Sequence, residues 1–107
     1  VKFGKSDSSD FDLRRAGMGG SELPDLKQEF NSLPHERGTL SMARSSDPNS
    51  ANSQFFICFK AAPHLDRQYT VFGKVTRGME FIDQIKRGEP GSGAVSSPDY
   101  IESIKIK

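Results

Sequence analysis

Ser53-Gln54-Phe55-Phe56-Ile57-Cys58-Phe59 contains the longest apolar run of the chain, and the fold is read outward from it. A period of two puts Gln54, Phe56 and Cys58 on one face of a strand and Phe55, Ile57 and Phe59 on the other. Both faces are apolar, which predicts a strand covered on both sides. The run Phe55–Phe59 is far too short to cross a membrane as a helix.

On its N-terminal side, Arg44 to Asn52 is almost entirely Ser, Asp, Pro and Asn, the chemistry of turns. Before it, Thr39-Leu40-Ser41-Met42-Ala43 alternates behind Gly38 and predicts a second strand. Residues 4–29 are rich in Gly, Ser, Asp, Arg and Lys. With Phe3, Phe11, Leu13 and Met18 as anchors, they read as an ordered loop leading to a short strand at Glu29-Phe30. The cluster Gly17-Met18-Gly19-Gly20 implies positive φ or close chain approach. On the C-terminal side, an Ala62-Pro63 turn precedes a strand at Tyr69–Val75. Met79, Ile82 and Ile85 then recur at helical spacing, predicting a helix over Met79–Lys86 that Gly88 terminates. A Gly/Pro/Ser loop, Glu89–Pro98, follows. Ile104-Lys105-Ile106-Lys107 alternates and predicts a closing strand. The expectation is one domain over residues 1–107, mainly β, with one short helix near the C-terminus.

Composition narrows the function. A chain of 107 residues has the size of one domain and buries roughly two-thirds of its unfolded surface. Only 34% of residues are hydrophobic and the mean hydropathy is −0.60, so the core must be compact, with the eight Phe marking where it concentrates. Fifteen basic against 14 acidic residues give a net charge of +1, which offers no electrostatic handle on nucleic acid or anionic lipid; neither is expected as a partner. The single Cys58 rules out an internal disulfide and fits a cytoplasmic setting, although a cysteine-poor periplasmic protein would look the same. The chain opens Val1-Lys2-Phe3 without an initiator Met, which reads as a processing point, a cloning boundary or a truncation.

The usual chemistries fail one by one. Gly4-Lys5-Ser6 lacks the upstream glycine of a phosphate loop, and Gly17–Gly20 lacks the strand-then-helix setting of a dinucleotide fingerprint. Asp7, Asp10 and Asp12 miss calcium-loop spacing. His35 and His64 have no acidic or cysteine partner at ligand spacing, so no metal and no cofactor are expected. No serine sits in a nucleophile elbow, and Cys58 in mid-strand reads as a small core residue. What remains is an apolar surface with one amide.

Gly38-Thr39-Leu40-Ser41-Met42-Ala43, Ser53-Gln54-Phe55-Phe56-Ile57, Leu65-Asp66 and Val71-Phe72-Gly73-Lys74-Val75 resemble, in order and spacing, the signature segments of cyclophilins, the cyclophilin-type peptidyl-prolyl cis-trans isomerases. Arg14–Gly20 and His35-Glu36-Arg37-Gly38 are similar to bacterial members in particular. The resemblance runs over essentially the whole chain. It implies an antiparallel β-barrel of which this chain is the larger, C-terminal part, the opening strands and first helix lying before Val1.

Site roles follow from the resemblance. Phe56 would floor a pocket for the substrate proline ring, with Met42 and Leu65 as walls, and Gln54 would hydrogen-bond the peptide backbone beside it. Ala43 and Arg44 would line the groove, Tyr69 would stand at the rim, and Met18 would lie near a side pocket. His64 stands where many eukaryotic members carry Trp, which implies weak cyclosporin binding. Phe55, Ile57 and Phe72 are expected in the core. The implied partners are proline-containing peptides and unfolded proteins. The family's catalytic arginine comes from a Phe-His-Arg segment that residues 1–107 do not contain. Two functions therefore stand side by side: an isomerase acting on X-Pro bonds, and a proline-peptide binding module without catalysis. A β-barrel interaction domain with a fortuitous resemblance is a third.

Overall fold

A computed structural model describes Arg14 and residues 17–107. The expectations placed on Phe3 to Leu13, including the phosphate-loop and aspartate motifs, lie outside the described residues. The rest divides into two compact units, one spanning residues 20–83 and one that includes 17–19 and 84–107.

The first unit holds the mainly β architecture. Three strands, β1 (Thr39–Met42), β2 (Phe55–Ile57) and β3 (Val71–Lys74), form an antiparallel sheet in the order β2-β1-β3. A 3-10 turn, Pro63–Leu65, lies between β2 and β3, and the helix α1 (Met79–Ile82) follows β3. The central strand pairs Leu40 with Ile57, Ser41 with Phe56 and Met42 with Phe55 on one side. On the other it pairs Leu40 with Gly73 and Ser41 with Val71, a register shift that leaves Phe72 as the extra residue of a bulge. Entry into β1 is set by Gly38, whose φ of 88° closes the turn from Glu36 to Thr39 at a position where side chains are strained. Its N–H donates to Cys58 O at 2.8 Å and its C=O accepts from Val75 N–H at 2.8 Å, tying both edge strands to the start of the central one.

Three of the five expected strands are present, each in shortened form. The expected strand at Glu29-Phe30 is not formed. There the backbone amides are satisfied by side chains rather than a ladder: Gln28 N–H donates to Asn49 Oδ1 at 3.0 Å and Glu29 N–H to Thr70 Oγ1 at 3.1 Å. A single bridge joins Leu26 to Ala51. Asn52 adds a clamp, accepting from Ser21 N–H at 2.7 Å and donating to Leu23 O at 3.1 Å. The 44–52 loop therefore fastens the segment that precedes the sheet.

The helix ends at Ile82, four residues short of Lys86, and not at Gly88. Asp83 caps it, with its carboxylate held by Arg37 Nη1 at 2.8 Å and Nη2 at 2.6 Å. Beyond it Ile85 is exposed, so continuing the helix would bury no apolar face to offset its cost. Ile104–Lys107 forms no strand, and Ile106 is 99% exposed. An alternating tetrapeptide needs a ladder partner, and among the described residues none pairs with it. Within the second unit, Lys86 N–H donates to Asp99 Oδ2 at 2.8 Å and Glu89 N–H to Ala94 O at 3.0 Å, closing the 84–99 loop.

The centre is smaller and more polar than eight Phe suggested. Ala51, Cys58 and Val71 are its buried apolar residues, beside buried His35, Thr39 and Ser41. None of the described Phe is fully buried. Phe55 and Phe72, expected in the core, meet edge-on at 6.3 Å on the other face of the sheet and are exposed, while Ile57, expected there too, is half-buried.

Candidate functional site

Phe56 lies on the covered face, opposite Ser41 and half-buried. Two rings frame it. His35 stacks nearly parallel, with centroids 6.0 Å apart and 13° between planes, and Tyr69 meets it edge-on at 5.8 Å and 84°. Past the end of β2 the ladder runs on for one more pair, because Ala43 N–H donates to Gln54 O at 3.0 Å. Alternation then keeps Ala43, Gln54 and Phe56 on one side. Gln54 is exposed and Ala43 half-buried, which suits a groove beside the ring.

Arg44 continues from Ala43 and folds back over Tyr69, its guanidinium carbon 4.7 Å from the ring centroid. Three hydrogen bonds pin it there: Nε to Gln68 O at 2.9 Å, and Nη1 to Ser45 O at 2.9 Å and Ser46 O at 3.3 Å. The Arg44 side chain is thus held by three main-chain carbonyls and the Tyr69 ring. Tyr69 lies between Phe56 and Arg44.

Met42 does not join this group. It is paired with Phe55, so alternation turns it to the open face. Its expected role as a wall is corrected: a residue one step along the strand from Ser41 cannot share the side that Ser41 shares with Phe56. His64 and Leu65 lie on the 3-10 turn, His64 exposed and Leu65 half-buried. Met18 belongs to the other unit and is exposed.

Sequence reasoning passed over the residues behind Phe56. His35 Nδ1 lies 2.9 Å from Asp66 Oδ1, and its Nε2 lies 2.9 Å from Ser41 Oγ. A carboxylate only accepts, so the proton on that side sits on Nδ1. Ser41 Oγ also lies 3.1 Å from Thr70 O, and its one proton is shared between that carbonyl and the ring. The connectivity is that of a Ser-His-Asp triad, but Ser41 is 0% exposed and no substrate could reach it. The group is structural, not nucleophilic. His35's amide and ring hold the Asp66 carboxyl below the usual carboxylate range. Burial pushes the Cys58 thiol up, with the Asp66 charge adding to the shift. Among the described residues no cluster of three or more His, Cys, Asp or Glu could hold a metal ion, and no helix is long and apolar enough to cross a membrane.

Comparison with known proteins gives the family. Residues 2–106 match the family model of cyclophilin type peptidyl-prolyl cis-trans isomerase/CLD. The chain belongs to the cyclophilin family. It is 57% identical over 108 residues to a protein of Brucella abortus (strain 2308) named "Probable peptidyl-prolyl cis-trans isomerase", covering all of this chain and 55% of that one. A Gallus gallus protein named "Peptidyl-prolyl cis-trans isomerase-like 3" is 44% identical over 75 residues, 66% of this chain and 46% of that one. The crystal structure of cyclophilin AquaCyp293 from Hirschia baltica superposes with a TM-score of 0.51 at 38% identity, over 57% of this chain and 23% of that chain. This cyclophilin chain thus spans about half the length of the curated relatives it matches.

Proposed function

We propose that this chain supplies the prolyl pocket of a peptidyl-prolyl cis-trans isomerase that acts on X-Pro bonds in proline-containing peptides and unfolded proteins. The observation that carries the reading is the half-buried Phe56 ring, framed by His35 and Tyr69, with Gln54 on the same side of the sheet. Rotation about a peptide bond faces a barrier of ~18–20 kcal/mol because conjugation is lost on the way. Catalysis needs no covalent step, only tighter binding of the twisted amide than of either planar form. An apolar floor grips the proline ring while an amide side chain holds the neighbouring backbone, so the bond between them can turn.

The test is an isomerisation assay on the intact protein with a proline peptide. Phe56→Ala is expected to lower kcat/KM by about a hundredfold, the worth of one buried aromatic contact. Unchanged activity would sink the pocket. The 107-residue chain assayed alone should accelerate rotation little, because the arginine implied by the cyclophilin resemblance is not among its residues. We extend the proposal to cyclosporin, which should bind weakly with His64 at the usual Trp position; a titration returning nanomolar affinity would overturn that part.

A further inference from the structure

Phe56 needs more than a position on a strand, since a half-buried ring at an open groove can turn away from it. A buried side chain with both ring nitrogens bonded stands directly behind. His35 is 1% exposed, and every polar atom it has is partnered. Its backbone N–H donates to Asp66 Oδ1 at 2.7 Å, and its Nδ1–H reaches the same oxygen at 2.9 Å. Its carbonyl accepts from Ala62 N–H at 2.9 Å. Ala62 and Asp66 bracket the turn that carries His64 and Leu65, so His35 grips that turn at both ends. Through Nε2 and Ser41 Oγ, 2.9 Å apart, it also holds β1 directly opposite Phe56. Its ring face lies parallel to the Phe56 ring.

We infer that His35, anchored by Asp66, is a positioning residue for the prolyl pocket: it sets the Phe56 ring and the His64–Leu65 turn at one fixed separation, so that floor and wall meet a proline ring without reordering. The inference rests on the reading of Phe56 as the pocket floor. Its physical content is preorganisation. A ring backed by a bonded imidazole loses little freedom when a ligand arrives, whereas a loosened one must be reordered with each binding event. Charge-assisted bonds to an ionised carboxylate make the backing stiff. A histidine that merely filled the core would serve equally well without contacts to both ends of the turn.

The experiment compares Asp66→Asn, Ser41→Ala and Phe56→Ala in the intact protein. It measures proline-peptide affinity and kcat/KM well below each variant's thermal midpoint. Asp66→Asn keeps the shape but removes the charge that holds the ring. It is expected to raise KM about tenfold with kcat little changed, a misplacement effect, and to speed flipping of the Phe56 ring in aromatic NMR signals. Ser41→Ala frees the ring from β1 alone and should weaken binding about threefold, less than loss of the anchor. A lowered midpoint with affinity and ring flipping unchanged would reduce His35 to a structural residue and overturn the inference. If Asp66→Asn does not fold, Ser41→Ala decides by the same criteria. If Phe56→Ala also leaves affinity unchanged, the pocket reading itself fails; if Phe56→Ala weakens binding and the other two do not, only the positioning inference does.

Discussion

The two faces of the three-stranded sheet differ in their bulky apolar side chains, and the more apolar face is the more open one. One face gathers Thr39, Ser41 and Val71 under a histidine and is closed, with Phe56 at its margin. The other presents half-buried Met42 and exposed Phe55 and Phe72. Hydrophobicity alone would have chosen the second as the core. Phe55 and Phe56 are neighbours of the same type, and what separates them is a polar cluster: satisfied hydrogen bonds among His35, Asp66 and Ser41 close one side. Buried polar groups are costly when unpaired, so a fully partnered set fixes one arrangement more sharply than apolar contacts can.

The largest test of that contrast is to remove the polar centre while keeping its volume. His35→Leu leaves Ser41 Oγ and the Asp66 carboxylate without their ring partner. It should destabilise the chain by about 3 kcal/mol in chemical denaturation. Phe72→Ser on the open face should cost under ~1 kcal/mol in the same 107-residue chain, as for a surface substitution. Equal costs for the two would erase the distinction between the faces.

Much of the fold was legible because its signals are local. Gly38, the 44–52 turn residues and the alternation in 53–59 place three strands within a few residues of where they lie. The site was half legible. Gln54 and Phe56 share a side because both belong to one strand, whose period is intrinsic to the backbone. The place of Met42 depends on its register against a second strand, and nothing within β1 states that register. The triangle of His35, Ser41 and Asp66 was invisible for a similar reason. Asp66 stands 31 residues from His35, and no spacing rule links them. The one available signal was that Ser41 alternates with Thr39 on a side that must be buried if β1 is central, and a buried hydroxyl needs a partner. The C-terminal strand failed because alternation describes only one half of a ladder.

A milder test asks whether the closed face excludes solvent. Cys58 sits there, buried, with its thiol pushed up by desolvation. Only the thiolate reacts, so alkylation at pH 8 should be slow. A cysteine introduced at Phe72 in a Cys58→Ala background should react at least about tenfold faster. Similar rates would mean that the closed face opens as readily as the other.

The smallest effect is in the acid range and isolates the carboxylate that anchors the cluster. Asp66 titrates below its unfolded value, chiefly because His35's amide and ring donate to it. A depressed carboxyl contributes stability that is fully present above the unfolded pKa, about 3.9 for Asp. That contribution fades as pH falls through the lower folded value. The wild-type chain should therefore lose thermal midpoint below about pH 4, and Asp66→Asn, already less stable at neutral pH, should lose less over the same range. Because Asp66 is partly exposed, salt and water weaken the interaction and the difference between the two curves will be modest. Two acid limbs of identical slope would show that the ring is held by its neighbours' packing, and that the charge beside it is incidental to the closed face.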